Sequence, residues 1–421
     1  MMLKKTNAWL WIPTLYFASG LPYHAITSIS DIMYKDMGIS NAQIALYTSI
    51  LLIPWTIKPL WSPFVEMMGT RRKWTMTSQL LLALCFIVVA MFIPSNNFLS
   101  LTLSLFMIGA FVSSTHDIAL DGFYILALPQ EKQSFFSGIR NTFYRIATVF
   151  SSGILVMLAN RLGEIFGNKT WAWSATFITI AAIMAVLYLY HSKTMPVPDA
   201  DISRKTNGIK EIFANFGDII KSYFNKKGII STILFLLLFR FPEAQLGKIG
   251  KLFLMDTESG GLALSLADIG FINGVIGVIG LIIGGIAGGI CISRKGLKFW
   301  LWPMVIAISL PDIVYVYMSM AIPDNLAIIG SCIFIEQLGY GFGFTAYTLY
   351  MIYFAQGKYP TAHFAISTAF MSLGMMLPGM ISGKIQEWLG YEKFFIWIML
   401  CTVITFLVSA LIKIDKNFGK K

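Results

Sequence analysis

The chain has 421 residues, of which 56% are hydrophobic and only 13% are charged, and its formal net charge is +11. An average soluble domain is about 25% charged, so this composition excludes a water-soluble globule and indicates a protein that lies in a lipid bilayer. Because positive charge in a membrane protein usually sets its orientation, we do not infer nucleic-acid binding from it.

Apolar segments long enough to cross a membrane recur along the whole chain. A spanning helix needs about 20 apolar residues. The first segment begins at Ala8 and continues through Pro22 and His24 with no small-residue cleavage site, so we interpret it as a retained span and not a signal peptide. Eleven more follow, at about 42–67, 74–93, 99–127, 134–160, 171–191, 229–255, 264–292, 299–321, 326–354, 361–388 and 393–413. The sequence therefore predicts an all-α integral membrane protein with twelve transmembrane helices.

Charge in the loops predicts the orientation of these spans. Basic residues crowd the loops on one side, as at Arg71–Lys73 and Arg294–Lys295, and they are sparse on the other side. Since loops rich in lysine and arginine stay in the cytoplasm, both termini are expected to be cytoplasmic.

The longest polar stretch, 193–228, divides the chain into two six-helix halves, 1–192 and 229–421. Within this linker, 208–223 has apolar residues at helical spacing and predicts an amphipathic helix at the membrane surface. Each half carries a basic cluster after its second span, and internal repeats of this kind are typical of secondary transporters. Glycines at 270–289 predict close helix packing. The G-x-G-x-G run at 339–343 is not a nucleotide-binding loop, because it lies within an apolar segment and has no lysine to bind phosphate.

Eight ionisable residues fall inside the predicted spans. A charge at the centre of a spanning helix costs about 2.5–3.5 kcal/mol on insertion scales, and such residues usually face a partner or a water-filled cavity on a transport pathway. Alternatively, paired charges simply hold helices together. The eight residues are Lys58, Asp117, Asp121, Arg140, Arg145, Arg240, Glu243 and Glu336.

Depth along the helices predicts how these charges pair. With a rise of about 1.5 Å per residue, Asp121 matches Arg140, and Asp117 matches Arg145, in distance from the cytoplasmic end. The acids and arginines of spans 4 and 5 are therefore expected to form two ion pairs.

The second half places Arg240 and Glu336 about 15–17 Å into their helices. Glu243 lies one turn beyond Arg240, and Pro242 between them predicts a kink. Solute is expected to bind between the halves near the midplane, where Arg145 and these residues converge. We assign no role to Asp312 in span 9, and we expect it to lie nearer the outer surface.

Other side chains are weaker candidates. His116 could relay protons with Asp117, or it could be a fixed hydrogen-bond partner. Tyr144 and Tyr347, beside the polar spans, could stack on a sugar or acyl ligand. The four cysteines show no C-x-x-C spacing, so we predict no disulfide, metal site or cofactor.

Several motifs together resemble one transporter family. Span 1 reads FASGLP at 17–22, span 2 ends IKPLWSPF at 57–64, and span 4 reads THDIALDGF at 115–123. Span 5 has YR at 144–145, and span 10 has EQ-x-G-x-G at 336–341. These stretches resemble the AmpG-like branch of the major facilitator superfamily, which includes bacterial muropeptide permeases and acetyl-coenzyme A transporters. Glu66 stands where that family usually has Asp, and His116 where it usually has Gln.

The resemblance implies proton-driven import of an amino-sugar or anhydro-muropeptide type solute across a bacterial inner membrane, by a monomer. It is consistent with solute binding by Lys58, Tyr144, Arg145, Arg240, Glu336, Gln337 and Tyr347. It is also consistent with proton coupling by His116, Asp117, Glu243 and Glu336. In the superfamily, an acid and an arginine after span 2 brace the outward-facing state, which implies a gate at Glu66, Arg71, Asp121 and Arg140.

Three other functions remain open. A facilitator or exchanger for another organic anion or oligosaccharide, such as a coenzyme A derivative or a neutral sugar, would use the same kind of site. A membrane enzyme is disfavoured because the sequence has no nucleophile elbow and no metal-ligand spacing. A scaffold that no longer transports is disfavoured because it would gain nothing from the cost of eight embedded charges.

Overall fold

A computed structural model describes residues 7–62, 65, 69–128, 130–199, 201, 209–257, 260–357 and 359–419. Every regular element in these ranges is a helix. The chain forms two compact units: unit 1 comprises Met1–Met37 and Ile57–Ile209, and unit 2 comprises Gly38–Thr56 and Lys210–Lys421.

Most of the first half of the chain lies in unit 1. Its helices are α1 (Ile12–His24) and α2 (Ser30–Asp36), and then α5 (Arg71–Phe92), α6 (Phe98–Ala127), α7 (Gln130–Val149), α8 (Val156–Phe166) and α9 (Lys169–Thr194). Between α2 and α5, α3 (Asn41–Ile50) belongs to unit 2, and α4 (Ile53–Ile57) lies at the boundary.

Unit 2 contains the remaining helices. They are α10 (Ile209–Phe224), α11 (Ile229–Leu238), α12 (Phe241–Met255), α13 (Leu266–Phe271), α14 (Val278–Lys295), α15 (Leu297–Ser309), α16 (Ile313–Ala321), α17 (Leu326–Ala355) and α18 (Pro360–Leu411). The helix α10 lies at the linker segment predicted to be helical, and its Tyr223 hydroxyl lies 2.9 Å from Ser367 Oγ on α18.

Nine helical stretches in the described residues are long and apolar enough to cross a membrane. The last of them, Ala362–Leu411, contains a non-helical residue, Gly390, with φ of 75°. This left-handed conformation is one that glycine adopts without steric cost, and it divides α18 into two helical parts. The nine stretches indicate a multi-pass membrane protein, whereas the count of twelve transmembrane helices stays a prediction.

Two helix breaks in unit 2 lie at charged residues of the apolar stretches. At Arg240 the chain leaves helical geometry between α11 and α12, with Pro242 in the first turn of α12. This break confirms the predicted kink. A 3-10 turn, Leu310–Asp312, likewise separates α15 from α16. A proline lies in or beside each break. Because proline lacks the backbone N–H that a continuous helix needs, it favours a break at these positions.

Glycine permits close packing of α14 against α17. A Cβ on Gly284 would lie 2.0 Å from the carbonyl oxygen of Leu338, and one on Gly341 would lie 2.2 Å from that of Leu281. Neither backbone atom could move aside without shifting a helix, so both positions require glycine. The prediction of close helix packing is confirmed at Gly284, and the structure adds Gly341 as its counterpart on α17.

Candidate functional site

An ion pair joins α6 to α7 in unit 1. Arg140 Nη1 lies 3.5 Å from Asp121 Oδ1, which confirms the predicted pair. Tyr16 on α1 donates to the same carboxylate oxygen at 3.2 Å and accepts from Arg140 Nη1 at 3.2 Å. The guanidinium also lies over the rings of Tyr16 and Tyr124, at 5.0 and 5.2 Å from their centroids. Three helices therefore meet at one polar cluster.

Asp117 lies about one turn along α6 from Asp121 and is bonded to a different residue. Ser19 on α1 donates a hydrogen bond of 2.5 Å to Asp117 Oδ1. Asp117 is thus held at the α1–α6 contact inside an apolar stretch. The second predicted pair, Asp117 with Arg145, stays a prediction.

His116 faces other helices than its neighbour Asp117. Its Nε2 lies 3.2 Å from Gln79 Nε2 on α5, and Gln79 Oε1 lies 3.0 Å from His191 Nδ1 on α9. His191 Nε2 in turn lies 3.0 Å from Thr14 Oγ1. All of His116 is buried. Of the two roles left open for His116, this series of contacts favours a fixed hydrogen-bond partner over a proton relay.

The predicted gate is described only in part. Glu66 lies outside the described residues. Arg71 begins α5, and its side chain packs on Gly122, because a Cβ there would come within 2.7 Å of Arg71 Nε. Arg71 therefore lies against the residue that follows Asp121, and the gate itself stays a prediction.

Asp201, from the polar linker, anchors the same end of α5. Its two carboxylate oxygens accept hydrogen bonds from the backbone N–H groups of Arg71 and Arg72, at 2.8 and 2.9 Å. An acid at a helix N-terminus satisfies free donors and complements the helix dipole. This contact was not predicted, because a capping residue from a distant loop leaves no local pattern.

The remaining candidates in unit 1 are less constrained. Lys58 begins the 3-10 turn Lys58–Leu60 and is half-buried. Tyr144 lies beside Tyr23 and His24, with ring centroids 6.4 and 5.8 Å away. Arg145 follows Tyr144 in α7.

Arg240 in unit 2 is buried among aromatic rings. Its guanidinium lies 5.2 Å from the ring centroid of Tyr340 and 4.8 Å from that of Phe344. Nη2 donates to the Tyr340 hydroxyl, whereas Nε has no hydrogen-bond partner among the described residues. An arginine stacked in this way keeps its charge and retains a donor for an anion.

Three carboxylates lie close together in unit 2, near Arg240. Oxygens of Glu243, Asp312 and Glu336 all lie within 4.8 Å of one another, and each residue is less than 7% exposed. The expectation that Asp312 lies near the outer surface is therefore wrong, since the break after α15 turns it into the interior of unit 2. Gln337 Nε2 donates to Glu336 Oε2 at 2.9 Å, so these two predicted solute-binding residues contact each other.

Tyr347 is part of the hydrophobic core of unit 2. Its ring stacks on Phe239 at 5.1 Å, and its hydroxyl donates to the carbonyl oxygen of Leu236 at 2.5 Å. The side chain is fully buried. Its only polar atom is already bonded to a helix backbone, so the contacts favour packing over the predicted contact with solute.

The comparisons with known proteins agree with this architecture. The model of the Major Facilitator Superfamily matches residues 14–382. A putative transporter, AmpG 4, of Rickettsia felis is 27% identical over 394 residues, which cover 91% of each chain. The anhydromuropeptide permease of Escherichia coli K12 is 24% identical over 391 residues, which cover 91% of this chain and 75% of the permease.

Solved structures show the same fold. The nucleoside transporter NupG superposes with a TM-score of 0.70 at 16% identity, covering 97% of this chain and all of that one. A D-xylose–proton symporter superposes with a TM-score of 0.71 at 12% identity, covering 98% and 99%. The chain therefore belongs to the major facilitator superfamily and is a multi-pass membrane transporter whose curated relatives include AmpG-type permeases.

Proposed function

We propose that the protein imports an amino-sugar or anhydro-muropeptide type solute into the bacterial cytoplasm by alternating access, driven by protons. The permease of Escherichia coli is named for such a solute, and its likeness to this chain extends over nine tenths of the chain. The protein would act as a monomer in the inner membrane with both termini in the cytoplasm.

The observation that carries this proposal is the presence of embedded charges in both units. Asp117 is held by Ser19 within unit 1, and in unit 2 the buried Nε of Arg240 has no partner among the residues that the structure describes. A carboxylate can change its charge during a transport cycle, whereas an arginine stays charged and can hold an anion. The two residues therefore suit the two tasks of a coupled transporter.

For proton coupling we favour Asp117. The acid lies within a helix that spans the membrane, and its carboxylate accepts a short hydrogen bond from a neighbouring helix. Protonation would remove the charge and weaken that bond, which would couple a proton to the contact between α1 and α6. Glu243 and Glu336, the other acids predicted to couple, remain second candidates.

For solute binding we propose Arg240 together with Arg145, Tyr144, Lys58 and Gln337. A muramic sugar carries both a ring and a carboxylate, and charge-assisted hydrogen bonds from arginine suit the carboxylate. Aromatic side chains suit the ring face. Tyr347 is left out of this set because its hydroxyl is bonded within the core.

Counterflow in proteoliposomes tests the proposal. Vesicles loaded with unlabelled N-acetylglucosamine–anhydro-N-acetylmuramic acid should take up the labelled compound transiently, and empty vesicles without protein should not. An enzyme would convert the compound instead, and a scaffold would do neither. Counterflow of coenzyme A derivatives or neutral oligosaccharides, with none of the muramic compound, would favour the alternative exchanger.

A further inference from the structure

We propose that Glu243, Asp312 and Glu336 form a binding site for a hard, oxygen-ligated cation of the size of Na⁺ or Ca²⁺. The three residues come from α12, from the 3-10 turn between α15 and α16, and from α17. The proposal concerns unit 2 alone and does not depend on which solute is transported.

Burial is the first argument. Glu243 is 6% exposed, and Asp312 and Glu336 are each 2% exposed. Ionised carboxylates taken out of water lose several kcal/mol of solvation each, and three of them within 4.8 Å would also repel one another. Such a cluster is stable only if its negative charge is offset, by a bound cation or by protons.

Missing partners are the second argument. Both carboxylate oxygens of Asp312, and Oε2 of Glu243, have no hydrogen-bond partner among the described residues. Buried polar atoms are nearly always bonded, so each exception calls for a ligand or a specific explanation. Asp312 is the stronger case, because neither of its carboxylate oxygens has a partner in the described part of the chain, and one of them lies within 4.8 Å of the other two acids.

Arg240, the neighbouring arginine, is not the missing partner of these carboxylates. Across the described residues, Arg240 forms no ion pair within 4.0 Å of any of the three acids, and its Nη2 donates to Tyr340 instead. Its charge still lies near Glu243, three residues away. Three carboxylates and one guanidinium leave a net negative charge for a bound ion to offset.

Geometry is the third argument. Oxygen ligands lie about 2.3–2.6 Å from Ca²⁺, and Na⁺ has nearly the same radius. Two ligands on opposite sides of such an ion are then about 4.6–5.2 Å apart, and three ligands spaced evenly around it are about 4.0–4.5 Å apart. The three oxygens lie within 4.8 Å of one another, which is close to the spacing that one shared ion requires. Hard cations select carboxylate oxygen in preference to other donors.

The test is ion binding to the purified full-length protein without solute. Wild type should bind radiolabelled Na⁺ or Ca²⁺ saturably, and competition with the other ion, K⁺ or choline should identify which ion occupies the site. Asp312→Asn and Glu336→Gln should each weaken binding at least about tenfold, because affinity at such sites follows the number of ligand charges. Asp324→Asn, which removes an exposed acid of unit 2, should bind as wild type does.

Thermal unfolding gives a second readout that does not require the variants to be fully stable. A cation that binds only the folded protein raises its Tm, so Na⁺ or Ca²⁺ should raise the Tm of wild type and Asp324→Asn but not of Asp312→Asn. If neither ion binds wild type saturably, or if Asp312→Asn and Glu336→Gln bind it as wild type does, the cation site is refuted. The three carboxyl groups would then hold protons only. That outcome would leave counterflow of the muramic compound unaffected.

Discussion

Arg140 Nη1 and Asp121 Oδ1 lie 3.5 Å apart, and both atoms also contact the Tyr16 hydroxyl. The two charged side chains are 31% and 52% exposed, and ion pairs exposed to this degree contribute only about 0.2–1 kcal/mol to stability. The pair is therefore better placed to bias a conformation than to hold the fold together.

Asp121→Asn should leave stability nearly unchanged and shift the conformational population. We expect a Tm close to that of wild type, because so exposed a pair contributes little. We also expect a cysteine probe on the predicted periplasmic side to become less accessible to thiol reagents, because the inner brace is weaker and the inward-facing state gains population. Unchanged accessibility would rule out a gating role for Asp121.

Asp117→Asn should uncouple transport from the proton gradient. The amide cannot take up a proton, so uphill uptake should be lost while exchange of solute stays measurable. His116→Gln is the matched control: the neighbouring residue contacts α5 instead of α1, and an amide can still bond Gln79. Concentrative uptake by the Asp117 variant would show that coupling lies elsewhere.

Arg240→Ala should weaken binding of the muramic compound. Losing a charge-assisted hydrogen bond costs about 1.5–3 kcal/mol, or roughly 10- to 150-fold in affinity. A double variant with Glu243→Gln separates two causes. If Arg240 only balances the charge of Glu243, the double variant should recover binding.

Ligand chemistry provides the control for this prediction. If Arg240 holds the solute carboxylate, the double variant should stay weak, and the loss should disappear for an analogue without the carboxylate. Equal losses for the acid and its neutral analogue, measured by equilibrium binding, would argue for a neutral oligosaccharide as the substrate.

Gly383→Ala should loosen α3 from α18. An added Cβ would lie 2.2 Å from the backbone oxygen of Asn41 and 2.6 Å from Cα of Ala42, so α3 would have to move. The hydrogen bonds of Asn41 Nδ2 to Gln386, at 2.7 Å, and to Tyr391, at 2.8 Å, would be strained or lost. We expect a lower Tm and higher accessibility of a cysteine placed in α3.

Gly247→Ala controls for the substitution itself. Gly247 lies within α12, and a Cβ there meets no atom within 4 Å. Alanine favours a helix over glycine by about 1 kcal/mol, so this variant should be as stable as wild type or slightly more so. A Gly383 variant that behaves like the Gly247 variant would show that α3 is not held by this contact.

Local pattern was sufficient to predict some of these features. Pro242 and the depth match of Asp121 with Arg140 are each evident within one or two helices, and the structure confirms the kink and the ion pair. Helical rise is regular, so residues at equal depth on consecutive helices can be matched by counting.

Other features depend on helices that are far apart in the chain. Asp312 meets Glu243 and Glu336 only because three separate helices pack together, and no spacing along the sequence reports this. The Gln79–His191 contact joins α5 to α9 for the same reason. Likewise, Gly38–Thr56 lies between the two segments of unit 1 in the sequence but packs within unit 2, where Gly383 lets α3 approach α18.

Gradient-driven uptake is the most direct test of the account. In proteoliposomes with the muramic compound outside, one proton per solute is driven by the pH difference, because the proton and the solute carboxylate together move no net charge. Each pH unit is worth about 1.4 kcal/mol, or about tenfold accumulation. We predict that wild type accumulates the labelled compound when an inward proton gradient is imposed, and that a protonophore abolishes the accumulation. Uptake that only equilibrates, with or without the gradient, would contradict proton-driven import.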